Sequence, residues 1–260
     1  MITAAALCPA PPLLARELTG ADPVVPELRQ ACLDAAAGLL QSDPDMIAVV
    51  GTGEQTRAFG TRGQLDLAAY APALALGRLD GSALDGSGLD RDPQPLPLPL
   101  GLGCRLLDQA GYAGQLALHT VSDRASAADC AAVGASLAET MARVALLVMA
   151  DGSARRGLKA PGYLDERSFP FDTQVTEAIQ AGDMAALLTL DAGLARDLMA
   201  TGRPAWQVLA GAMGERRPAS VIRYCDDPFG VAYLVATLSP QHNVSPTSGR
   251  ERGGDWPQRP

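Results

Sequence analysis

The sequence predicts an α/β fold: one domain with a central, largely parallel β-sheet flanked by helices and an antiparallel hairpin near the carboxyl end. Three observations carry this expectation. Short apolar runs alternate with segments of helical period, the pattern of consecutive strand–helix–strand units. Hydrophobic residues make up 47% of the chain but aromatics only 4%, so the core is to be built from Ala, Leu and Val on closely approaching helices. Neither an internal repeat nor a mid-chain linker divides the 260 residues, a length that suits one sizeable domain, taken as residues 1–240 with a disordered tail at 241–260.

Ile2 to Leu7 is an apolar run ended by prolines, the mark of a central strand opening into a loop. A helix is expected from Val25 to Leu40, where Leu28, Cys32, Ala35, Ala36 and Leu39 recur at helical spacing and Pro26 suits the first turn. After the break at Ser42 to Asp45, Met46 to Val50 forms a second strand that runs into Gly51-Thr-Gly53. Residues 54–100 are the least regular, and the alternating prolines from Pro93 to Pro99 predict an extended polyproline crossover rather than a strand. Regular alternation resumes with a helix at 101–110, a strand at 115–119, a helix at 125–140 and a strand at 144–150. A loop over 151–168 then leads to helices at 171–181, 184–189, 192–200 and 205–213. Two last strands, 220–224 and 230–238, flank a turn at Cys225-Asp-Asp-Pro-Phe229. The polar, Gly- and Pro-rich end lacks periodicity and reads as disorder.

The formal charge of −8 and the pI near 4.8 exclude a polyanion as the natural partner, because phosphate backbones reward a basic face. Nucleic acid is therefore not expected. No segment reaches the roughly 20 uninterrupted apolar residues of a membrane span, and the apolar start is broken by Pro9, Pro11 and Pro12, which reads as strand and turn rather than a leader. Five cysteines in an odd number with no CxxC pair point to a reducing compartment, the cytoplasm. The expected partner is a small molecule, and a homo-oligomer is compatible with the sequence.

Ligands of open α/β sheets bind beyond the carboxyl ends of the strands, here Cys8 to Pro11, Gly51 to Glu54, His119 to Ser122 and Asp151 to Ser153. Glu54 and Asp151 are candidates for acid/base work, and Asp151 equally for orienting the next loop through backbone N–H bonds. Ser153, Arg155, Arg156, Lys159 and Tyr163 set hydroxyls beside cationic groups, which suits a carboxylate or phosphate ligand; a solvated loop is the alternative. Thr52, between two glycines, offers backbone N–H groups to an anion. Cys8 with Cys225, Asp226 and His119 would make a mixed thiolate metal site, against the reading of buried cysteines as small hydrophobes. His119 is either a general base or a core residue.

The stretch Val148-Met-Ala-Asp-Gly-Ser-Ala-Arg-Arg156, continued by Lys159-Ala-Pro-Gly-Tyr163, Phe171-Asp172 and Ala181-Gly-Asp183, resembles the LigB-type class III extradiol ring-cleaving dioxygenases and their Memo-like relatives, where a strand ends in Gly-Asp-Leu-Ser-His-Arg. Leu187 to Asp191 and Trp206 to Ala212 resemble the helices that follow, and Asp227 to Tyr233 the closing hairpin. Cys8-Pro-Ala-Pro-Pro-Leu-Leu14 resembles Pro-His-Pro-Pro-Leu-Leu, so the likeness covers most of 1–240 and is weak over 54–115. It implies an iron(II) centre of two histidines and one carboxylate with an acid/base histidine beside it. Ala10, the Gly51 loop and Ala154 stand where those histidines belong, and Asp226 is the residue matching the carboxylate.

The whole chain holds two histidines, His119 and His242, too few for such a centre plus its acid/base partner. The expected function is a dioxygenase-like protein with a degenerate iron site that binds a small anionic or aromatic molecule. No cofactor is expected, and Fe(II) only if ring cleavage is retained. The alternatives are an active ring-cleaving oxidoreductase of an aromatic diol, and an enzyme of altered, metal-independent chemistry.

Overall fold

A computed structural model gives the fold and describes residues 1–20, 24–60, 63–67, 70 and 94–240. The Gly- and Asp-rich stretch between 71 and 93 and the tail at 241–260, His242 included, lie outside the described residues. In chain order the main elements are β1 (Ile2–Cys8), α1 (Arg16–Thr19), α2 (Pro26–Leu40), β2 (Met46–Gly53), β3 (Arg57–Phe59), β4 (Gly63–Leu65), β5 (Gln94–Leu96) and α3 (Leu98–Gln109). There follow β6 (Gln115–Ser122), α4 (Ala127–Glu139), β7 (Val144–Met149), α5 (Ser168–Ala181), α6 (Met184–Leu188), α7 (Ala192–Asp197), α8 (Arg203–Met213), β8 (Pro218–Asp226) and β9 (Tyr233–Pro240).

Among the described residues the main sheet runs β3-β6-β2-β7-β1-β9-β8. Its centre, β6, β2, β7 and β1, is parallel; β3, β9 and β8 pair antiparallel. The expected class, α/β with a largely parallel centre and a carboxyl-terminal hairpin, is what forms. All six residues of β7 are buried, because helices cover both faces and both side-chain sets meet a core. At the edge, β8 alternates between covered and exposed positions, as an antiparallel strand with one wet face does.

One face of the sheet carries α2 and α3 on Cys8, Ile47, Val49 and Leu147. The other carries α4 to α8 on Leu7, Val50, Leu146 and Val148. The five positions predicted to face inward on α2 are all buried. The scarcity of rings is met as expected, by close backbone approach, and Trp206 is the largest of the fully buried side chains. No described helix is long and apolar enough to cross a membrane.

Several boundaries depart from expectation for local reasons. Gln94–Leu96 is a strand after all, paired in parallel with β4; at so short an edge Pro95 is tolerated because neighbouring residues carry the ladder. Helix α3 starts at Leu98, with Pro99 inside its first turn where no intrahelical donor is needed. Helix α4 starts after Ser126, whose hydroxyl accepts from Asp129 N–H at 3.1 Å while the Asp129 carboxylate accepts from Ser126 N–H at 3.3 Å, a reciprocal cap that fixes the start. Asp183 and Asp191 cap α6 and α7 from one side, their carboxylates accepting the Ala186 and Leu194 N–H. Strand β8 extends through Cys225 and Asp226, so the turn is shifted to residues 227–232. In the irregular stretch, β3 adds an edge strand that was not expected.

Candidate active-site crevice

The connection after β1 goes to the α2 face and the connection after β7 to the α5 face, although the two strands are neighbours. Where adjacent connections part in this way, a crevice opens at the carboxyl ends of the strands. The residues at these strand ends are Cys8 to Ala10 and Ala150 to Gly152. Ala150 N–H donates to Cys8 O at 2.8 Å, and past the end of β7 the chain crosses to the hairpin, with Gly152 N–H on Ala232 O and Ala232 N–H on Ser153 O, both at 2.9 Å.

Asp151 stands in this crevice. Its Oδ1 accepts the Ala10 N–H at 2.9 Å, so the loop it orients is the one after β1, not the one after itself. Burial raises its carboxyl from the ordinary 3.8 to about 6, with the Ala10 bond offsetting part of the cost. Tyr233, buried on β9, has its phenol pushed up by burial and then by the Asp151 charge; Tyr70 responds to the same two causes. Thr52 lies in the β2–β6 ladder opposite Val121, and its hydroxyl donates to Thr201 O at 2.6 Å, while Gly202 N–H donates to Asp151 O at 2.8 Å. The end of β2 and the turn before α8 thus brace the crevice.

Behind the crevice lies a polar cluster on the α5 side. The Ser153 N–H and hydroxyl both donate to Asp172, at 2.9 and 2.5 Å, and Ser153 is fully buried. Arg156 pairs with Asp172 at 3.2 Å and with Asp227 at 2.5 Å, and its guanidinium stacks 4.6 Å from the Phe169 ring centre. Burial alone would weaken its charge, yet its bond to Asp227 and the field of Asp172 hold it above the usual value. Asp172 goes the other way: burial raises its carboxyl more than Ser153 and Arg156 lower it. Gly152 must be glycine here, since a Cβ would sit 2.7 Å from Ala232 Cβ and 2.9 Å from Asp172 Oδ1. The expected ligand loop is therefore corrected at two residues, with Ser153 turned inward and the charge of Arg156 engaged by two carboxylates.

This cluster forms one wall of a cleft of about 290 Å³ that also meets Trp206, Cys225, Asp226 and Leu234. The Trp206 indole N–H has no acceptor among the described residues. Asp172→Ala is expected to cost about 1.5 kcal/mol of unfolding free energy, since it strips acceptors from two buried donors of Ser153 and leaves Arg156 with Asp227 alone. Urea unfolding of the variant measures it.

The remaining expected site residues are scattered. Lys159 and Tyr163 are solvent-facing, and Arg155 is half-buried with its Nε unpartnered. Glu54 is exposed, and its backbone carbonyl accepts from Ser122 Oγ. Asp226 is exposed at the end of β8 and accepts from the Asp227 N–H. His119 does not close its strand: β6 continues to Ser122, and His119 pairs with Val50 on one side and Ala58 on the other, half-buried, with burial lowering its imidazole. Cys8 is fully buried with its thiol toward Cys32 O, and that contact and burial push it well above its usual value. The proposed grouping of Cys8, Cys225, Asp226 and His119 therefore does not assemble.

The donor set of the crevice does not fit the iron(II) centre that the resemblance implies. Such a centre needs two imidazoles beside a carboxylate; Ala10 and Thr52 line the strand ends, His119 lies within β6, and the carboxylate present is Asp151 rather than Asp226. Among the described residues no group of three or more His, Cys, Asp or Glu is placed to hold a metal ion. Asp172, Asp227, Tyr233 and Trp206 were not foreseen as site residues, since each is brought to the cleft by elements far apart in sequence. The one signal that pointed toward Asp172 was its place in the Phe171-Asp172 pair within the resembling stretch.

No protein-family model and no curated protein matches the chain. Among solved structures it is similar to the crystal structure of the uncharacterized protein JW3007 from Escherichia coli K12, with a TM-score of 0.50 and 12% identity over 91% of this chain and 99% of that one. At that identity the likeness is one of fold.

Proposed function

We propose that the chain is a small-molecule-binding protein on an extradiol-dioxygenase-like scaffold, of the LigB-type superfamily, acting in the cytoplasm without an iron centre. The observation that carries the reading is Asp151: a desolvated carboxylate at the switch point of the sheet, ionising at about 6, with a tyrosine hydroxyl nearby and no imidazole beside it among the described residues. A buried carboxylate that costs stability is retained where a ligand uses it. Near neutral pH it is an acceptor, so the ligand it suits presents hydroxyl or N–H donors, and an aromatic diol satisfies both its oxygens.

Titration with a panel of catechols, read by heat or by intrinsic fluorescence, tests this. Binding is expected to weaken as the pH falls below about 6, as the carboxylate takes up its proton. Asp151→Asn is expected to lower affinity about tenfold, the loss typical of a charge-assisted bond. A folded Asp151→Asn variant that binds as the parent does would overturn the reading, as would yellow ring-opened product after anaerobic iron(II) loading and exposure to oxygen.

A second reading, a metal-independent acid/base enzyme, is favoured by the same value of about 6, close to the range in which a side chain both takes and returns a proton. It separates from the first by turnover: a rate that rises with pH through about 6 and is lost in Asp151→Asn marks an enzyme.

A further inference from the structure

A second cleft, of about 330 Å³, lies between the segment after β1, α2 and α3, and shares no residue with the Asp151 crevice. Its apolar lining is Leu14, Leu102 and Leu106, and its polar groups are Arg16, Arg29, Arg105, Glu17, Asp108 and Gln109. Arg105 and Glu17 satisfy each other through two bonds, at 2.6 and 2.5 Å. The other two arginines have no carboxylate partner among the described residues. Arg29 is only 9% exposed; its Nη2 donates to Leu14 O at 2.8 Å and its Nε has no acceptor. The Arg16 side chain makes no hydrogen bond or ion pair among the described residues, yet its charge acts on Arg29, opposed by the smaller effect of Glu17.

Two arginines lining one cleft, one of them nine-tenths buried with a donor unused among the described residues, are an unfavourable arrangement in a chain of net charge −8. Burying a cation without a carboxylate bonded to it is unfavourable, and acidic residues to neutralise it are plentiful in the composition. The arrangement makes sense when an oxyanion completes it, because a guanidinium fork matches the oxygens of a carboxylate or phosphate. The three leucines leave room for a short apolar group beside the charge.

We propose that this cleft is a second ligand site, for a small organic oxyanion whose charged group is held by Arg29 and Arg16 and whose apolar part rests on Leu14, Leu102 and Leu106. The full chain is titrated by calorimetry with two probes, inorganic phosphate and hexanoate. Saturable binding is expected for both, weakening as salt is added and tighter for hexanoate. Arg16→Ala, at an exposed residue that does not hold the fold, is expected to weaken binding about threefold, and Arg29→Met at least about thirtyfold.

Because Arg29→Met also removes the Leu14 tie, Arg29→Lys is the companion variant: it keeps the charge, loses the fork, and is expected to fall between Arg29→Met and the parent. Asp151→Asn is expected to leave binding of both probes unchanged, which separates this site from the crevice. No saturation by either probe up to about 10 mM would overturn the proposal. So would parental affinity in Arg16→Ala together with Arg29→Lys, or loss of binding in Asp151→Asn.

Discussion

Asp151→Asn is expected to raise the unfolding free energy at pH 8 by about 2 kcal/mol, an unusual direction for a change at a site residue. The carboxyl ionises at about 6 in the folded protein against an ordinary 3.8, a difference of about two pH units or ~3 kcal/mol between the charged and neutral forms. Asparagine keeps the oxygen that accepts the Ala10 N–H and sheds the charge. Its amide N–H₂, lacking a good acceptor, gives back part of the gain, which leaves about 2 kcal/mol.

The pH dependence fixes the sign. A carboxyl whose folded value is raised binds a proton more tightly in the folded state, so its favourable contribution is complete below about 3.8 and is lost as the pH rises through about 6. Urea unfolding of the parent should lose stability over that window, and the asparagine variant should lack that loss. Equal stability of the two proteins at pH 8 would mean that the carboxylate is solvated, and the argument for a ligand at this crevice would go with it. A stability gain joined to weaker catechol binding is the trade-off expected of a functional residue.

What the sequence made legible follows the physics of each feature. The central strands were plain because strands covered on both faces must be apolar throughout, as in Val144 to Met149. Helix α2 was plain because one face repeats Leu28, Cys32, Ala35 and Leu39. The short edge strands were not: β3 and β5 are three residues each, too brief for periodicity to appear, and β5 contains a proline that argues against a strand on local grounds. The helix starts at Ser126, Asp183 and Asp191 are local signals available in the sequence; a Ser or Asp ahead of a helical run is a cap.

The crevice was legible in position and less so in membership. Strand ends that run into Cys8-Pro-Ala and Asp151-Gly-Ser mark it, and Asp151 stands out from that position. The roles of Ser153 and Arg156 were not visible, because local composition shows a hydroxyl beside cations but not the carboxylates that arrive from α5 and the hairpin. Asp172 and Asp227, 16 and 71 residues from Arg156, turn an apparent anion receptor into an internal brace. Arg16 and Arg29, which have no carboxylate partner among the described residues, lie in stretches that look unremarkable in the sequence.

Gly134→Ala carries the largest expected destabilisation. Helices α4 and α8 cross where each presents a glycine to the other's backbone. A Cβ on Gly134 would fall 2.0 Å from Val208 O and 2.6 Å from Ala212 N, and one on Gly211 would fall 2.1 Å from Ala131 O. By helix propensity alone, alanine is better than glycine by about 1 kcal/mol, so a freely exposed position would gain from the exchange. Here the methyl meets backbone atoms on a partner helix, which cannot rotate aside as a side chain does. The helices must separate, opening gaps around buried Trp206 and Leu209. Overpacking against side chains costs typically about 1–3 kcal/mol, and against backbone the cost is at the upper end or beyond, so a net loss of at least about 3 kcal/mol is expected. Gly211→Ala should behave alike, and because both methyls press on the same crossing, the double variant should cost less than the two singles added together. Denaturant midpoints of the three variants measure this; a neutral or stabilised Gly134→Ala would show that the helices do not cross in contact.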